Sequence, residues 1–227
     1  HDTYGFPIEL TEELAREHGL EVDLEEFERL MTEQRERGRA GAKGGADTKA
    51  LVEVAREAGP TEFVGYQEAA AEGRLAGILT GAERREAAAE GDEVEVVLTR
   101  TPFYAEGGGQ LADQGVVELS NGATVQVLDV QSPITGMIVH QAKVLSGEVT
   151  LGTHAQAMVD VERRRSISRA HTATHMVHKA FREALGDTAT QAGSENAPGR
   201  FRFDFSATGP VPGSAMADVE ARVNDLV

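Results

Sequence analysis

Residues 1–58 show the apolar spacing of helices. Between residues 23 and 37, apolar side chains recur three and four positions apart, at Leu24, Phe27, Leu30 and Met31. This spacing places them on one face of a helix, while Glu and Arg fill the opposite face. A shorter helix capped by Thr11 is predicted before it, and another capped by Thr48 is predicted after it, as far as Gly59.

From residue 74 onward the pattern changes to short apolar runs typical of strands. Val, Leu and Ile dominate RLAGILTG, DEVEVVLTRT, GVVELSNGATVQVLDVQ and GMIVHQAKVL, and HAQAMVDVE forms one more run. Gly, Pro, Asn and Asp separate the runs at short intervals, which indicates antiparallel strands in a barrel or sandwich. Asn121-Gly122 lies between two runs and predicts a hairpin with a type I′ turn, which needs a positive φ at two successive residues.

The last third of the chain begins with a long helical pattern. A helix is predicted from about Val161 to Leu185, with Gly186 as the residue after its C-terminal cap. The run GRFRFDFSA then alternates phenylalanine with polar residues, which predicts a half-buried strand. GSAMADVEARVNDLV begins another helix, and the sequence stops inside that pattern.

These patterns predict an α+β protein in three parts. An N-terminal helical segment covers residues 1–58 and includes a flexible loop at 38–47, where four glycines occur without apolar periodicity. An antiparallel β-barrel-like subdomain covers residues 59–152. An α/β core covers residues 153–227 and opens with the long helix, which carries three histidines.

Composition excludes several classes of protein. The chain of 227 residues has no cysteine, so it forms no disulfide and no thiolate metal site or nucleophile. It has no apolar run near the roughly 20 residues of a membrane span, and because its first ten residues lack a basic and an apolar region we expect no signal peptide. A cytoplasmic location is therefore expected. Because the sequence starts without methionine and stops within a helical pattern, we expect a piece of a longer protein.

The charge is strongly acidic but uneven. A net charge of −16 argues against non-specific binding of nucleic acid by the whole surface, because phosphates must be neutralised by Lys and Arg. Residues 163–182 nevertheless contain six basic residues and no acidic one: Arg163, Arg164, Arg165, Arg169, Lys179 and Arg182. Such a stripe suits a partner held at one place, such as one RNA end. The alternative is an ordinary solvated helix face.

His171 and His175 lie four residues apart in the long helix, so both imidazoles project from the same side. This spacing suits two ligands of one zinc ion, although exposed or core histidines are the alternative. The glutamate of an HExxH protease is missing. Further ligands would have to come from carboxylates or from His140, His154 or His178.

Two other polar stretches are candidates for a site. TPFYAEGGGQLADQG, residues 101–115, is neither a Walker loop nor a GxGxxG turn. It predicts a substrate-facing loop in which Gln110 and Asp113 supply hydrogen bonds, or else a tight turn between strands. QAGSENAPGRFRFDF has polar residues before the phenylalanine strand and reads most simply as a polar loop, since no GxSxG elbow supports serine nucleophile chemistry.

Taken together, these motifs resemble the alanyl-tRNA synthetase family over nearly the whole chain. HDTYGFPIELT resembles the end of the family's aminoacylation region, and FERLMTEQRERGRAGAK resembles the helix and linker that follow. Three stretches resemble its editing domain in the family's order: TPFYAEGGGQLADQG, SRAHTATHMVHKAFREALG and QAGSENAPGRFRFDFS. By this resemblance, residues 153–227 are an editing core truncated at its C-terminus.

The resemblance implies a site that hydrolyses Ser-tRNA(Ala) and Gly-tRNA(Ala). His171 and His175 would be the first pair of zinc ligands, and the family's second pair, at CxxxH spacing, would lie beyond the chain end. Thr174 and Gln191 match positions of the editing pocket. The family's GGQ loop corresponds to Gly108, Gly109, Gln110 and Asp113, although the family often has serine where this chain has its first glycines. The candidates for contact with the tRNA(Ala) acceptor end are Arg163, Arg164, Arg165 and Arg169.

The same resemblance implies a ligase that attaches alanine to tRNA(Ala), with ATP and Mg²⁺ used only in an aminoacylation domain outside this chain. We expect the isolated chain to hold Zn²⁺ weakly or not at all and to have little deacylase activity, because two histidines leave the coordination sphere incomplete. The alternatives are a non-catalytic tRNA-docking module of the same enzyme and, if the resemblance is accidental, an unrelated histidine-rich metal-binding protein.

Overall fold

A computed structural model of the chain describes residues 48–186, 189–206 and 209–226, together with Val22, Asp23 and Arg29. The helices predicted for residues 11–37 and the loop predicted for residues 38–47 lie outside the described structure, apart from those three residues. The observed helices are α1 (Thr48–Ala58), α2 (Val161–Leu185) and α3 (Gly213–Leu226). None of the three has the length and apolar content that crossing a membrane requires.

Thirteen strands are observed in the described residues. They are β1 (Glu62–Phe63), β2 (Ala70–Thr80), β3 (Glu83–Arg84), β4 (Ala87–Ala89), β5 (Glu93–Leu98), β6 (Arg100–Thr101), β7 (Gly115–Leu119), β8 (Thr124–Ile134), β9 (Met137–Ser146), β10 (Glu148–Thr150), β11 (His154–Val159), β12 (Gln191–Ala197) and β13 (Arg200–Phe205). With the helices they form the mixed α+β fold that the sequence predicts.

Six antiparallel strands close into a barrel in the order β11-β7-β8-β9-β5-β2, because β2 also pairs with β11. Valine and leucine side chains fill its interior, among them Leu75, Val96, Val117 and Val125. Closure leaves no unpaired edge between the first and last strands. The strand His154–Val159 therefore belongs to the barrel, although the predicted boundary at residue 152 placed it in the following part.

The Asn121-Gly122 hairpin is present, but its turn is not the predicted type I′. Among the described residues no non-glycine residue has a positive φ, and only Gly122, at 90°, supplies one here. The Gly122 N–H donates to the Leu119 carbonyl at 2.9 Å, and the Leu119 N–H donates to the Ala123 carbonyl at 2.8 Å. This pattern is a three-residue hairpin with a glycine bulge, which needs one left-handed residue rather than two.

Helix α1 covers part of the barrel's outer surface. Leu51 and Val54 are fully buried against Leu79, Val97 and Met137 in a second apolar cluster. Strand β5 is therefore buried on both faces along its second half, so its pattern is continuous rather than alternating. The helix and the outward-facing side chains beneath it thus form a second apolar layer outside the barrel.

A second group of elements follows the barrel. Helix α2 starts at Asp160, whose side chain accepts a hydrogen bond from the Arg163 N–H at 3.0 Å, and it ends at Gly186, with a φ of 87°. These bounds confirm the predicted helix. Its far end packs with α3 and the β12–β13 hairpin around Phe181, with Phe203 and Phe205 on the β13 face that the alternation predicted.

His140 is the one histidine found inside the barrel among the described residues. It is fully buried, its Nδ1 donates to the Val96 carbonyl at 3.0 Å, and its Nε2 accepts from the Thr101 hydroxyl at 2.8 Å. Burial lowers its pKa from 6.5 to about 4, because the charged ring would lose its hydration. The histidine is therefore neutral in the folded protein at neutral pH.

We expect His140 to make the fold less stable as the pH falls. Its pKa is lower in the folded state, so between pH 6.5 and about 4 the unfolded chain binds a proton that the folded chain does not. The free energy of unfolding should drop by about 2 kcal/mol from pH 7.5 to pH 5 on this account. Urea unfolding at both pH values should show this drop in the native chain and a smaller one in His140→Leu. Equal drops in the two proteins would contradict the assignment.

Candidate functional site

The triple-glycine loop of the barrel lies against strand β12. It is closed by two backbone hydrogen bonds between Gly107 and Gln110, of 3.2 and 2.9 Å, and both Gly108 and Gly109 have positive φ. The Asn196 N–H donates to the Gly109 carbonyl at 2.6 Å. A Cβ on Gly109 would overlap Ser194, so glycine is required where the loop meets the strand.

Gln110 contacts the first histidine of the helix. The Nδ1 of His171 lies 3.0 Å from Gln110 Oε1, and because an amide oxygen only accepts, this nitrogen carries the proton. Burial lowers the pKa of His171, and the neighbouring His175 lowers it further. The imidazole is therefore favoured in its neutral form, with the lone pair of Nε2 available to a ligand. An acceptor on the second ring nitrogen is the usual support of a metal-binding histidine.

His171 and His175 lie close together on one face of α2 and are the described histidines that could share a ligand. The rings of His171 and His175 are stacked with centroids 4.9 Å apart. His140 lies in the barrel core and His178 packs on Phe203, with ring centroids 5.3 Å apart. In the described parts of the chain, no three or more His, Asp or Glu side chains come together as metal ligands. Among the described residues, the imidazole nitrogens of His171 and His175 are thus the two candidate metal ligands.

Thr174 lies between the two histidines and faces inward. Only 2% of the residue is exposed, and its hydroxyl lies 2.5 Å from Asn196 Oδ1 and 3.0 Å from the Ala170 carbonyl. Asn196 is completely buried. The predicted pocket residue is therefore in direct contact with a residue of β12 that the sequence did not single out as a site residue.

The stretch interpreted as a polar loop is strand β12. It pairs with β13, and an irregularity between Gln191 and Gly193 shifts the register by one residue. Gln191, Ser194 and Asn196 oppose Phe205, Phe203 and Phe201, which alternate along β13 and therefore share one face. The extra residue of the bulge keeps Gln191 on that face, where its Nε2 lies 3.0 Å from Ser194 Oγ. Polar and apolar residues do not alternate along this strand, so the sequence pattern does not predict it.

Asp113 holds the loop to helix α2 instead of facing a substrate. Its carboxylate is almost fully buried, accepts from the Tyr104 N–H at 2.8 Å and pairs with Arg164 at 2.5 Å. Arg164 also donates to the carbonyls of Gly65, at 3.0 Å, and Pro102, at 2.5 Å. The structure therefore gives both residues a structural role, which differs from the predicted substrate contact of Asp113 and tRNA contact of Arg164.

The remaining arginines of the basic stripe divide into two kinds. Arg163 donates to the Ala112 carbonyl at 2.5 Å, so it also fastens the helix to the loop. The side chain of Arg165 is 63% exposed and forms an ion pair with Glu162, and Arg169 is exposed one turn further on. Of the four predicted tRNA contacts, Arg165 and Arg169 lie where an RNA could reach them.

Similarity to known proteins is extensive. Residues 1–163 match the family model for tRNA synthetases class II (A). The chain is 65% identical over 232 residues to the alanine–tRNA ligase of Nocardioides sp., 56% identical over 232 residues to that of Acidothermus cellulolyticus, and 53% identical over 231 residues to that of Streptomyces avermitilis. Each match covers 100% of this chain and 26% of the relative, so the chain spans about a quarter of the length of the curated relatives it matches.

Two neighbouring arginines should differ sharply in their effect on stability. Arg164→Ala would leave the buried Asp113 carboxylate without its cation, which costs about 3–5 kcal/mol. Arg165→Ala removes an exposed ion pair and should cost under about 1 kcal/mol. Urea unfolding of both variants measures the difference. Similar losses in the two would show that the Asp113–Arg164 pair does not hold the loop to the helix.

Proposed function

The chain belongs to the tRNA synthetases of class II (A), and from this premise we propose that it is part of an alanine–tRNA ligase and carries most of its editing site. The proposed reaction is hydrolysis of tRNA(Ala) that has been charged with serine or glycine. Its site consists of the glycine loop, the His171–His175 face of α2 and the helix-facing side of β12. The alanine-attaching reaction, with its ATP and Mg²⁺, is assigned to other parts of such a ligase.

One observation supports the editing site above the others. Thr174 is a buried hydroxyl next in sequence to His175 and one helical turn after His171, and it is hydrogen-bonded to a second buried polar side chain, Asn196. A site built from such polar groups can reject an amino acid that lacks a hydroxyl, because the polar groups would then be left unpaired. Serine would be preferred to alanine in this way, whereas hydrolysis of the glycyl ester would depend on the small size of glycine and not on this contact.

The reaction itself is a simple hydrolysis. The oxygen of a water molecule bonds to the aminoacyl carbonyl carbon, the ester bond to the ribose oxygen breaks, and that oxygen takes up a proton. The products are the free amino acid and uncharged tRNA. His171 and His175 would hold a zinc ion through their ring nitrogens, and zinc bound there would polarise the water or orient the ester.

The chain's own residues have defined tasks in this proposal. Gln110 holds the proton of His171 on Nδ1 and thereby leaves Nε2 free. The Gly109 contact with β12 holds Gln110 in reach of the helix. Gln191 donates a hydrogen bond to the Ser194 hydroxyl and so orients it, and Ser194 lies against Gly109 of the loop. Together these contacts preorganise the pocket around Thr174.

The proposed partner is the acceptor end of tRNA(Ala), and the proposed location is the cytoplasm. Arg165 and Arg169 are exposed on the same helix as the pocket and could neutralise phosphates there. A second function, a tRNA-docking module without chemistry of its own, is favoured by the fact that only two nitrogen ligands come together in the described residues.

Replacing Thr174 by valine should change the selectivity of editing. The variant keeps the shape of the side chain but removes the hydroxyl, so hydrolysis of Ser-tRNA(Ala) relative to Ala-tRNA(Ala) should fall about tenfold in the full-length protein that carries this chain. Deacylation rates of the two charged tRNAs measure the ratio. Thr172→Val is the matched control, because Thr172 is exposed and bonds only to the Ser168 carbonyl of its own helix. An unchanged ratio in Thr174→Val would refute the proposed pocket.

Reversing the charge of Arg165 and Arg169 should weaken tRNA binding. The logarithm of the binding constant falls as the logarithm of the salt concentration rises, and each lost phosphate contact should make this negative slope shallower by about 0.7 to 1. Binding titrations with tRNA(Ala) at several salt concentrations give both the affinity and the slope. The double variant Arg56→Glu/Arg85→Glu, at two exposed arginines away from this helix, serves as the control because it changes the net charge by the same amount. Equal slopes in the Arg165→Glu/Arg169→Glu variant and the control would place the tRNA elsewhere.

A further inference from the structure

Tyr66 is the most exposed of the large apolar side chains in the described residues. Its exposed fraction is 80%, whereas that of Met216, the next in order, is 48%. A single exposed apolar residue is ordinary on a protein surface, so exposure alone assigns no function. Tyr66 differs from an ordinary surface residue in the rigid turn that holds it and in the place of that turn beside the glycine loop and α2.

The turn that carries Tyr66 is held firmly on both sides of the residue. The Val64 N–H donates to the Thr101 carbonyl at 3.0 Å, and the Val64 carbonyl accepts from the Gln67 N–H at 3.0 Å. Gly65 packs so closely on the neighbouring chain that a Cβ there would overlap a backbone carbonyl. Because the turn is ordered before any ligand binds, the ring can contact a ligand with little further loss of conformational entropy.

Arg164 connects this turn to α2. Its guanidinium donates to the Gly65 carbonyl at 3.0 Å, so Tyr66 follows directly after a residue fixed to the start of the helix. His171 lies seven residues after Arg164, on the same face and about 10.5 Å further along the helix axis. This separation is about that of three stacked bases, at roughly 3.4 Å each.

An aromatic cluster connects the same turn to the glycine loop. The rings of Phe63 and Tyr66 meet edge to face, with centroids 5.0 Å apart and an angle of 81° between their planes. The Phe63 ring also lies 6.3 Å from that of Tyr104, whose hydroxyl donates to the Gly107 carbonyl at 3.3 Å. Tyr66 therefore belongs to the rim of the proposed site although most of its ring is open to solvent.

The charges next to this turn favour a neutral ligand group. The Arg100 guanidinium pairs with Glu68 at 2.7 Å and with Glu62 at 3.5 Å. Two carboxylates thus share one cation, and the net negative charge would repel a phosphate. A nucleobase is neutral and flat, and its face can stack on an exposed tyrosine ring whatever the base is.

We propose that Tyr66 is a stacking platform for an unpaired base near the 3′ end of the RNA whose terminal ester lies at His171 and Thr174. The stacked base would precede the terminal nucleotide and fix the direction in which the strand approaches the glycine loop. Tyr66 is then a positioning residue for the ester, and this inference rests on the proposed editing function.

The first test measures deacylation of Ser-tRNA(Ala) by the full-length protein that carries this chain. Tyr66→Leu keeps an apolar side chain but removes the aromatic face, so KM should rise about tenfold while kcat stays within about threefold of the native value. Tyr66→Phe keeps the face and should leave both constants within about threefold. Leu145→Ala, at a residue that is 45% exposed near the end of β9, is the control and should change neither.

The second test needs no hydrolysis and uses this chain, which contains no tryptophan. Tyr66→Trp introduces one at the proposed platform and keeps an aromatic face. Its emission should fall on saturation with tRNA(Ala) and should not change with tRNA(Ala) shortened by its unpaired 3′ nucleotides. Leu145→Trp should respond to neither RNA. Equal responses of Tyr66→Trp to both RNAs, or no response to intact tRNA(Ala), would overturn the proposal.

The two tests separate this inference from the function on which it rests. An unchanged KM in Tyr66→Leu, with native hydrolysis of Ser-tRNA(Ala), would overturn the platform and leave the editing function intact. Absence of hydrolysis in the native protein would instead remove the editing function, and the fluorescence test then decides the stacking alone. If another part of the full-length protein covers Tyr66, Tyr66→Leu should lower that protein's midpoint of urea unfolding and leave KM unchanged, which also contradicts the proposal.

Discussion

A carboxylate removed from water is stable as an ion only beside a cation, and the site depends on how Asp113 meets this requirement. Its partner Arg164 belongs to α2, whereas Asp113 follows the glycine loop of the barrel. His171 lies seven residues after Arg164 and therefore on the same face of the helix. By fixing the rotation of α2 near its N-terminus, the ion pair also directs His171 toward the loop and Thr174 toward β12.

The barrel thus acts as a frame for a site that lies outside it. Its interior is filled by aliphatic side chains, and its contribution to the site is one loop whose backbone pairs with β12. A rigid barrel presents this loop at a fixed position, so Gln110 meets His171 without a large cost in ordering. The side chains of the proposed site belong to the loop, a helix and a hairpin, and each of these elements contacts the other two.

Periodicity predicted those parts of the fold in which one face is buried and the other exposed. The bounds of α2 and the alternation of β13 are confirmed for this reason. Strand β12 was missed because polar residues occupy both of its faces, and the turn at Asn121 was assigned the wrong type because its hairpin contains a bulge. The roles of Arg164 and Asp113 could not be predicted, since charge composition does not reveal which ions pair in the interior. Helical spacing singled out the two histidines and the glycine loop singled out Gln110, whereas Thr174 was named only through the resemblance to a family.

The irregularity in β12 has a consequence for how this segment can vary. Its single extra residue decides which side of the ribbon Gln191 occupies, while Asn196 is tied to the loop at the other end of the strand. With the bulge retained, removing one residue between them would turn one of the two away from the helix, whereas removing the extra residue itself would give a regular even spacing and keep both on that face. The spacing between these positions is therefore tied to the bulge, and related chains that are one residue shorter here should also lack the irregularity.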